Sequence, residues 1–145
     1  MRRIIVAVLS LAGIACTSTP HLLLPSSQGW QRTPLAAVLA EHPLPEGKNI
    51  SALLLGRTEA LSYHLIQIRD REQPHIHATH DATVALLRGS GQLYVGGRTH
   101  EMHAGDVAVI AHGTPHYFVN TGSAPAVAFA TFAPPYDGKD QVPAE

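Results

Sequence analysis

The sequence predicts an all-β domain of sandwich or barrel type with one short helix ahead of it. Three observations lead there. From Asn49 onward, short apolar runs alternate with turn residues at a spacing of roughly ten residues, the signature of many short strands. Pro and Gly together contribute 23 residues, which suits strands and turns better than a helical bundle. With 45% apolar and 14% charged residues, the 145-residue chain can bury one sizeable core and is too short for two ordinary domains.

In chain order, residues 1–15 read as an export signal. Arg2 and Arg3 precede an apolar run from Ile4 to Ala15, shorter than the roughly 20 residues that span a membrane. Cys16 is the only cysteine. The stretch Leu11-Ala12-Gly13-Ile14-Ala15-Cys16 resembles a bacterial lipobox, with Gly13 where that motif prefers Leu. Lipidation of Cys16, plain cleavage nearby and retention as an uncleaved anchor are all open. The expected location is the periplasm or cell envelope, with the membrane touched only through a lipid on Cys16. Cleavage removes Arg2 and Arg3, leaving 8 basic against 11 acidic residues and a net charge of -3.

Residues 16–45 are expected to form a tether and a short helix. Residues 17–32 are rich in Ser, Thr and Pro and hold no sustained period. Thr33-Pro34 resembles a helix start, with Thr33 as cap and Pro34 in the first turn, and Pro43 ends the apolar run that follows. The barrel is expected over residues 46–135. Its strands are read at Ile50 to Leu55, Ala60 to Arg69, Thr83 to Leu87, Gln92 to Val95, Val107 to Ile110, His116 to Val119 and Ala126 to Phe132. Residues 136–145 are expected to be an extended tail.

Near-neutral charge, formally -1, excludes a strongly basic nucleic-acid face. The chain holds ten His, and eight of them fall between His64 and His116. His75-Ile76-His77 follows Pro74 at the start of a strand, where residues two apart share a face, so both imidazoles can meet one ion. His116, after the stiff turn Gly113-Thr114-Pro115, can complete one side of a coordination shell from a neighbouring strand. Imidazole suits several transition metals, so the cofactor expected is one divalent ion, Fe, Zn, Mn, Ni or Cu. On the strand before, alternation groups His64 with Ile66 and Ile68, and Tyr63 with Gln67. One of the two sets faces the interior, which makes Tyr63 and His64 candidate catalytic groups. His100 and His103 are expected in an exposed turn, and Asn120 as a partner for backbone groups at a strand end.

These residues resemble the two motifs of the cupin family. The first, G-x5-H-x-H-x(3,4)-E-x6-G, is similar to the stretch from Arg69 to Gly89, with His75 and His77 on the paired positions. The second, G-x5-P-x-G-x2-H-x3-N, is similar to the stretch from Gly105 to Asn120, with Gly113, His116 and Asn120 in register and Ala111 in place of the Pro. The resemblance covers about residues 50–133 and implies a cupin-like jelly-roll β-barrel, a metal inside it, His116 as the third His ligand and a homodimer. The Glu ligand is missing. Ala82 stands on its position by one spacing and Asp81 by the other, so Asp81, a water or His80, in that order, are the candidates to replace it. Two functions follow. One is a metal-dependent enzyme acting on a small polar molecule by dioxygenase, lyase or isomerase chemistry. The other is a non-catalytic protein that binds metal or a small ligand.

Overall fold

A computed structural model describes residues 19–144. The segment read as an export signal and Cys16 lie outside the described residues. Among those described, no helix is long and apolar enough to cross a membrane.

The chain opens with a hairpin, β1 (His21–Ser26) and β2 (Gly29–Pro34), in the stretch expected to be a tether. Its apolar content is too short to show a period, but Leu22 and Leu24 alternate, and the ladder turns both toward the body. Helix α1 (Leu35–Glu41) follows. Its cap position is held by Pro34 and not by Thr33, one residue later than expected, and no side chain caps it, since the hairpin ladder runs through both residues. The helix ends before Pro43, and Leu35 and Leu39 are its buried residues.

Two five-stranded antiparallel sheets form the body. One has the order β3 (Ile50–Arg57), β4 (Ser62–Ile68), β11 (Ala126–Ala133), β6 (Asp81–Arg88), β9 (Val107–Ile110). The other has the order β12 (Gln141–Pro143), β5 (His75–His77), β10 (His116–Asn120), β7 (Ser90–Val95), β8 (Arg98–His103). This is a mostly-β jelly roll of the cupin type whose two sheets do not close into a continuous barrel. β8 runs through His100 and His103, where a turn was expected; a strand of mostly exposed polar residues carries no apolar alternation to reveal it. The expected tail likewise contains β12, which pairs with β5.

Strand alternation builds two apolar layers. Inside, Ile68, Ala82, Leu86, Leu93, Met102, Ile110, Phe118, Ala128 and Phe132 form the core between the sheets. Outside the β3–β4–β11 face, Leu65 and Val127 pack with Leu22, Leu35 and Leu39, so hairpin and helix cover that sheet. Asn120 ties off β10: its Nδ2 donates to the carbonyls of Arg69 (2.8 Å) and Ala124 (2.9 Å), and its Oδ1 accepts from the Gly122 N–H (3.0 Å).

Gly91 marks the tightest approach in the interior. A Cβ there would overlap the Phe118 ring and the Val119 carbonyl of the neighbouring β10. Gly91→Ala is therefore expected to cost about 1–3 kcal/mol by overpacking. Gly122→Ala, where a Cβ meets only ordinary contacts, should stay within about 0.5 kcal/mol. Urea unfolding of the two variants measures both, and equal midpoints would refute the packing assignment.

Candidate metal centre

The three-residue strand β5 turns His75 and His77 to the interior, and the antiparallel ladder sets His116 of β10 directly opposite His75. All three rings are buried. Their centroids are 5.2 Å (His75–His77), 4.3 Å (His75–His116) and 5.5 Å (His77–His116) apart. One ring nitrogen from each lies within 4.8 Å of the others. The trio can hold a metal ion.

Each ring is held by its other nitrogen. Nδ1 of His75 donates to the Gln73 carbonyl (2.8 Å), and Nδ1 of His116 to the Thr114 carbonyl (2.8 Å). Both bonds reach two residues back along the chain. Nδ1 of His77 donates to the Asp140 carboxylate (3.1 Å). A carbonyl or a carboxylate can only accept, so Nδ1 carries the hydrogen in all three and the lone pair is left on Nε2. Burial drives His77 below the ordinary imidazole range, against the pull of Asp140, and takes His116 down to about 4. Both are neutral at pH 7, the form that ligates metal.

Asp140, in the segment expected to be a tail, is the organiser of this side of the site. It accepts from His77 Nδ1, His80 Nδ1, the Thr79 N–H (3.1 Å), the Thr79 hydroxyl (3.3 Å) and the His80 N–H (3.2 Å). Burial alone would raise its pKa, but the bonds from His80 and His77 outweigh that and hold the carboxyl far below the usual range. No periodicity or motif spacing marks Asp140. It stands between Lys139 and Gln141, three residues after Asp137, and nothing local singles it out.

A second unforeseen group is Glu72, three residues before His75. Its N–H donates to the Phe118 carbonyl (2.9 Å), and its own Oε2 accepts from the Phe118 N–H (2.9 Å). The side chain thus takes the place of a ladder partner. Glu72 and the three His are the polar groups lining an interior cavity of about 60 Å³ whose other walls are apolar, among them Ile66, Ala82, Leu93, Met102 and Phe132. Burial raises the Glu72 pKa, while His75 and the Phe118 N–H pull it partly back.

The remaining candidates lie elsewhere. Ala82 lines the cavity, so alternation along β6 turns its neighbour Asp81 outward. The Asp81 side chain is 59% exposed, and its carboxylate accepts from the His112 N–H (2.8 Å) and bonds His112 Nδ1 (2.7 Å), away from the trio. His80 is buried, with Nδ1 on Asp140 and Nε2 on the Pro135 carbonyl (3.3 Å), so neither nitrogen is turned to the trio. His64 belongs to the inward set of β4, but its Nε2 bonds Ser62 Oγ (3.0 Å) and its ring packs edge-on against Phe132 and Tyr136. Tyr63 faces the opposite side of the sheet, stacked on Phe129 in the outer layer. The structure brings neither Tyr63 nor Asp81 to the histidines.

Removing the Asp140 carboxylate strands five buried or half-buried donors. Asp140→Ala should lower the unfolding free energy by about 1–3 kcal/mol. Thermal or urea unfolding of the metal-free protein tests this, and an unchanged midpoint would show that the C-terminal segment does not clamp β5.

Comparison with known proteins bears on the same region. Residues 63–132 match the Cupin domain family. An uncharacterised protein of Aquifex aeolicus (strain VF5) is 41% identical over 98 residues, 68% of this chain and 80% of that one. A conserved Klebsiella pneumoniae protein with a double-stranded β-helix domain superposes with TM-score 0.62 at 21% identity, covering 74% of this chain and 94% of the other. KdgF from Halomonas sp. gives 0.60 at 23% identity, covering 68% and 91%. Streptomyces Pac13 with uridine, a nucleoside dehydratase, gives 0.59 at 14% identity, covering 67% and 79%. With the jelly roll and the in-register second motif, residues 63–132 of this chain form a cupin domain.

Proposed function

We propose that this protein is an exported, metal-dependent enzyme acting on a small molecule held between the histidine trio and Glu72. One divalent transition metal (Fe, Zn, Mn, Ni or Cu) on Nε2 of His75, His77 and His116 is the cofactor assigned. The observation that carries the reading is the shared hydrogen-bond pattern: every Nδ1 is spent on an acceptor, which leaves the Nε2 of all three clustered rings for a metal. That donor set fits the proposed metals. Three protein ligands leave coordination positions open, as catalytic sites do and closed four-ligand structural sites do not. When bound, the metal supplies Lewis acidity toward a substrate oxygen or a water.

The chain's own contribution is positioning and proton transfer. Apolar walls exclude bulk water, and about 60 Å³ admits a small molecule or the reactive end of a larger one. Glu72 is fixed by the Phe118 N–H and lines the cavity beside the histidines, and burial raises its pKa, in the direction that suits a carboxyl that takes and returns a proton. A proton-transfer group beside open metal positions favours lyase or isomerase chemistry, and the dehydratase activity of Pac13 on a similar fold is consistent with that. The occupation by Ala82 of the position where the family carries Glu supports a second reading, a non-catalytic binder of metal or a small ligand.

Metal analysis of the purified chain decides the first part. About one ion per chain is expected, lost in both His77→Ala and His116→Ala. A chain that takes up none of the five metals would overturn the assignment. For the second part, Glu72→Gln should keep the metal and lose on the order of 10²–10⁴-fold in kcat on small hydroxylated substrates. Rates equal to those of the parent would remove Glu72 from the chemistry, and a loaded protein without turnover would leave the binding reading.

A further inference from the structure

The β1–β2 hairpin has two unlike faces. Leu22 and Leu24 point into the outer apolar layer, against α1 and the sheet. The register pairs Leu23 with Arg32 and Pro25 with Trp30, so these four side chains share the other face. There Leu23 is 60% exposed and Trp30 73% exposed. The hairpin is held firmly to the body, since the Leu35 N–H donates to the Pro20 carbonyl (2.9 Å) and Leu22 is buried. A rigid ribbon therefore presents an aromatic, an aliphatic and a cationic side chain side by side.

Two further observations say what this face meets. The first is the chain that lies ahead of it. The apolar run Ile4 to Ala15 and Cys16 precede β1, and the five residues from Cys16 to His21 reach at most about 17 Å even when fully extended. A lipid on Cys16, or an apolar run left in the bilayer, would hold the hairpin within that distance of the headgroups. The second is charge. Residues 1–40 contain no Asp or Glu, while all 11 acidic residues lie at Glu41 or later, where only 7 of the 10 basic residues are found. An anionic surface therefore repels the body and accepts the hairpin.

We propose that the outer face of the β1–β2 hairpin docks on the anionic headgroups of a bilayer, with Trp30 and Leu23 entering the interface and Arg32 at headgroup level. Tryptophan at the boundary of apolar and aqueous phases, with a neighbouring Arg, is the chemistry that anchors proteins there. The inference rests on the reading of residues 1–16 as a membrane-directed segment. It orients the domain with hairpin, helix and outer layer toward the membrane and the β12–β5–β10–β7–β8 sheet away from it.

Trp30 is the only tryptophan, so its emission reports this face alone. The full chain, with its own N-terminal segment, is reconstituted into vesicles of phosphatidylethanolamine and phosphatidylglycerol, with and without brominated acyl chains. Flotation reads the tether, and Trp30 emission reads the hairpin. The expected result is flotation, a blue shift of Trp30 and quenching by the brominated lipid. A Trp30→Phe chain carrying Thr99→Trp on exposed β8 should float equally and escape quenching. Leu23→Asp with Arg32→Glu should float and lose the shift. Flotation with unshifted, unquenched Trp30 overturns the docking and leaves the tether standing. Failure to float removes both. Equal quenching at both tryptophans would mean adsorption without orientation, and a blue shift in lipid-free solution that grows with protein concentration would mean that a second copy covers the face; either result overturns the proposal.

Discussion

The pairing of His75 with His116 across β5 and β10 is the constraint on which the centre depends. β5 is only three residues long, and its two histidines share a face because strand side chains alternate with a period of two. A slip of one residue in that pairing would turn the imidazoles outward and put Ile76 inside. Nothing in so short a strand protects the register by itself. Protection comes from both flanks, with β10 bonded on one side and β12 on the other. The Gln141–His77 and Pro143–His75 pairs and the five bonds to Asp140 make the C-terminal segment the second wall that holds β5 in place.

The same low-dielectric interior that stabilises the fold sets the chemistry available in it. Burial favours the uncharged form of each group, and here that means neutral imidazole for His77 and His116 and a raised pKa for Glu72. Neutral imidazole is a good ligand, and a carboxyl with a raised pKa is a usable acid. Asp140 escapes the trend only because it accepts bonds from two histidines and two backbone N–H groups. Two carboxyl groups near one cluster are thus pushed apart by their surroundings. One is a fixed acceptor that orients two histidine rings, and the other lines the cavity beside the trio.

Much of this was legible in the sequence wherever a local period or a fixed spacing carried the information. The H-x-H of β5, the turn before His116 and the run Val107–Ile110 are of that kind, and the strand positions fell within a few residues. The hairpin, β8 and β12 were not legible. Each is a short polar or Pro-containing strand without a sustained apolar alternation, and β12 in addition pairs with a strand more than sixty residues back in the chain. Glu72 and Asp140 were hidden for a related reason. They reach the site through β10 and β5, contacts 46 and 63 residues away, and no spacing rule spans such loops. Asp81 shows the converse failure. Motif spacing allowed it or Ala82 on the ligand position, and only the strand register, which turns Ala82 inward, separates two adjacent residues.

The two additions at the chain ends serve different layers of the same body. The C-terminal strand closes the inner layer at β5, where a lost bond is felt by the ligands themselves. The N-terminal hairpin and helix close the outer layer over β4 and β11, where Leu65 and Val127 would otherwise face water. A sheet with one face against the core and the other against an added layer has no solvated face, which explains why β4 and β11 are rich in buried residues on both sides. The layer reaches β6 only at Leu87 and does not cover β9, where Val107 and Val109 stay exposed. The outer layer thus ends where the hairpin and α1 end, and its extent is set by about twenty residues that the barrel motifs do not include.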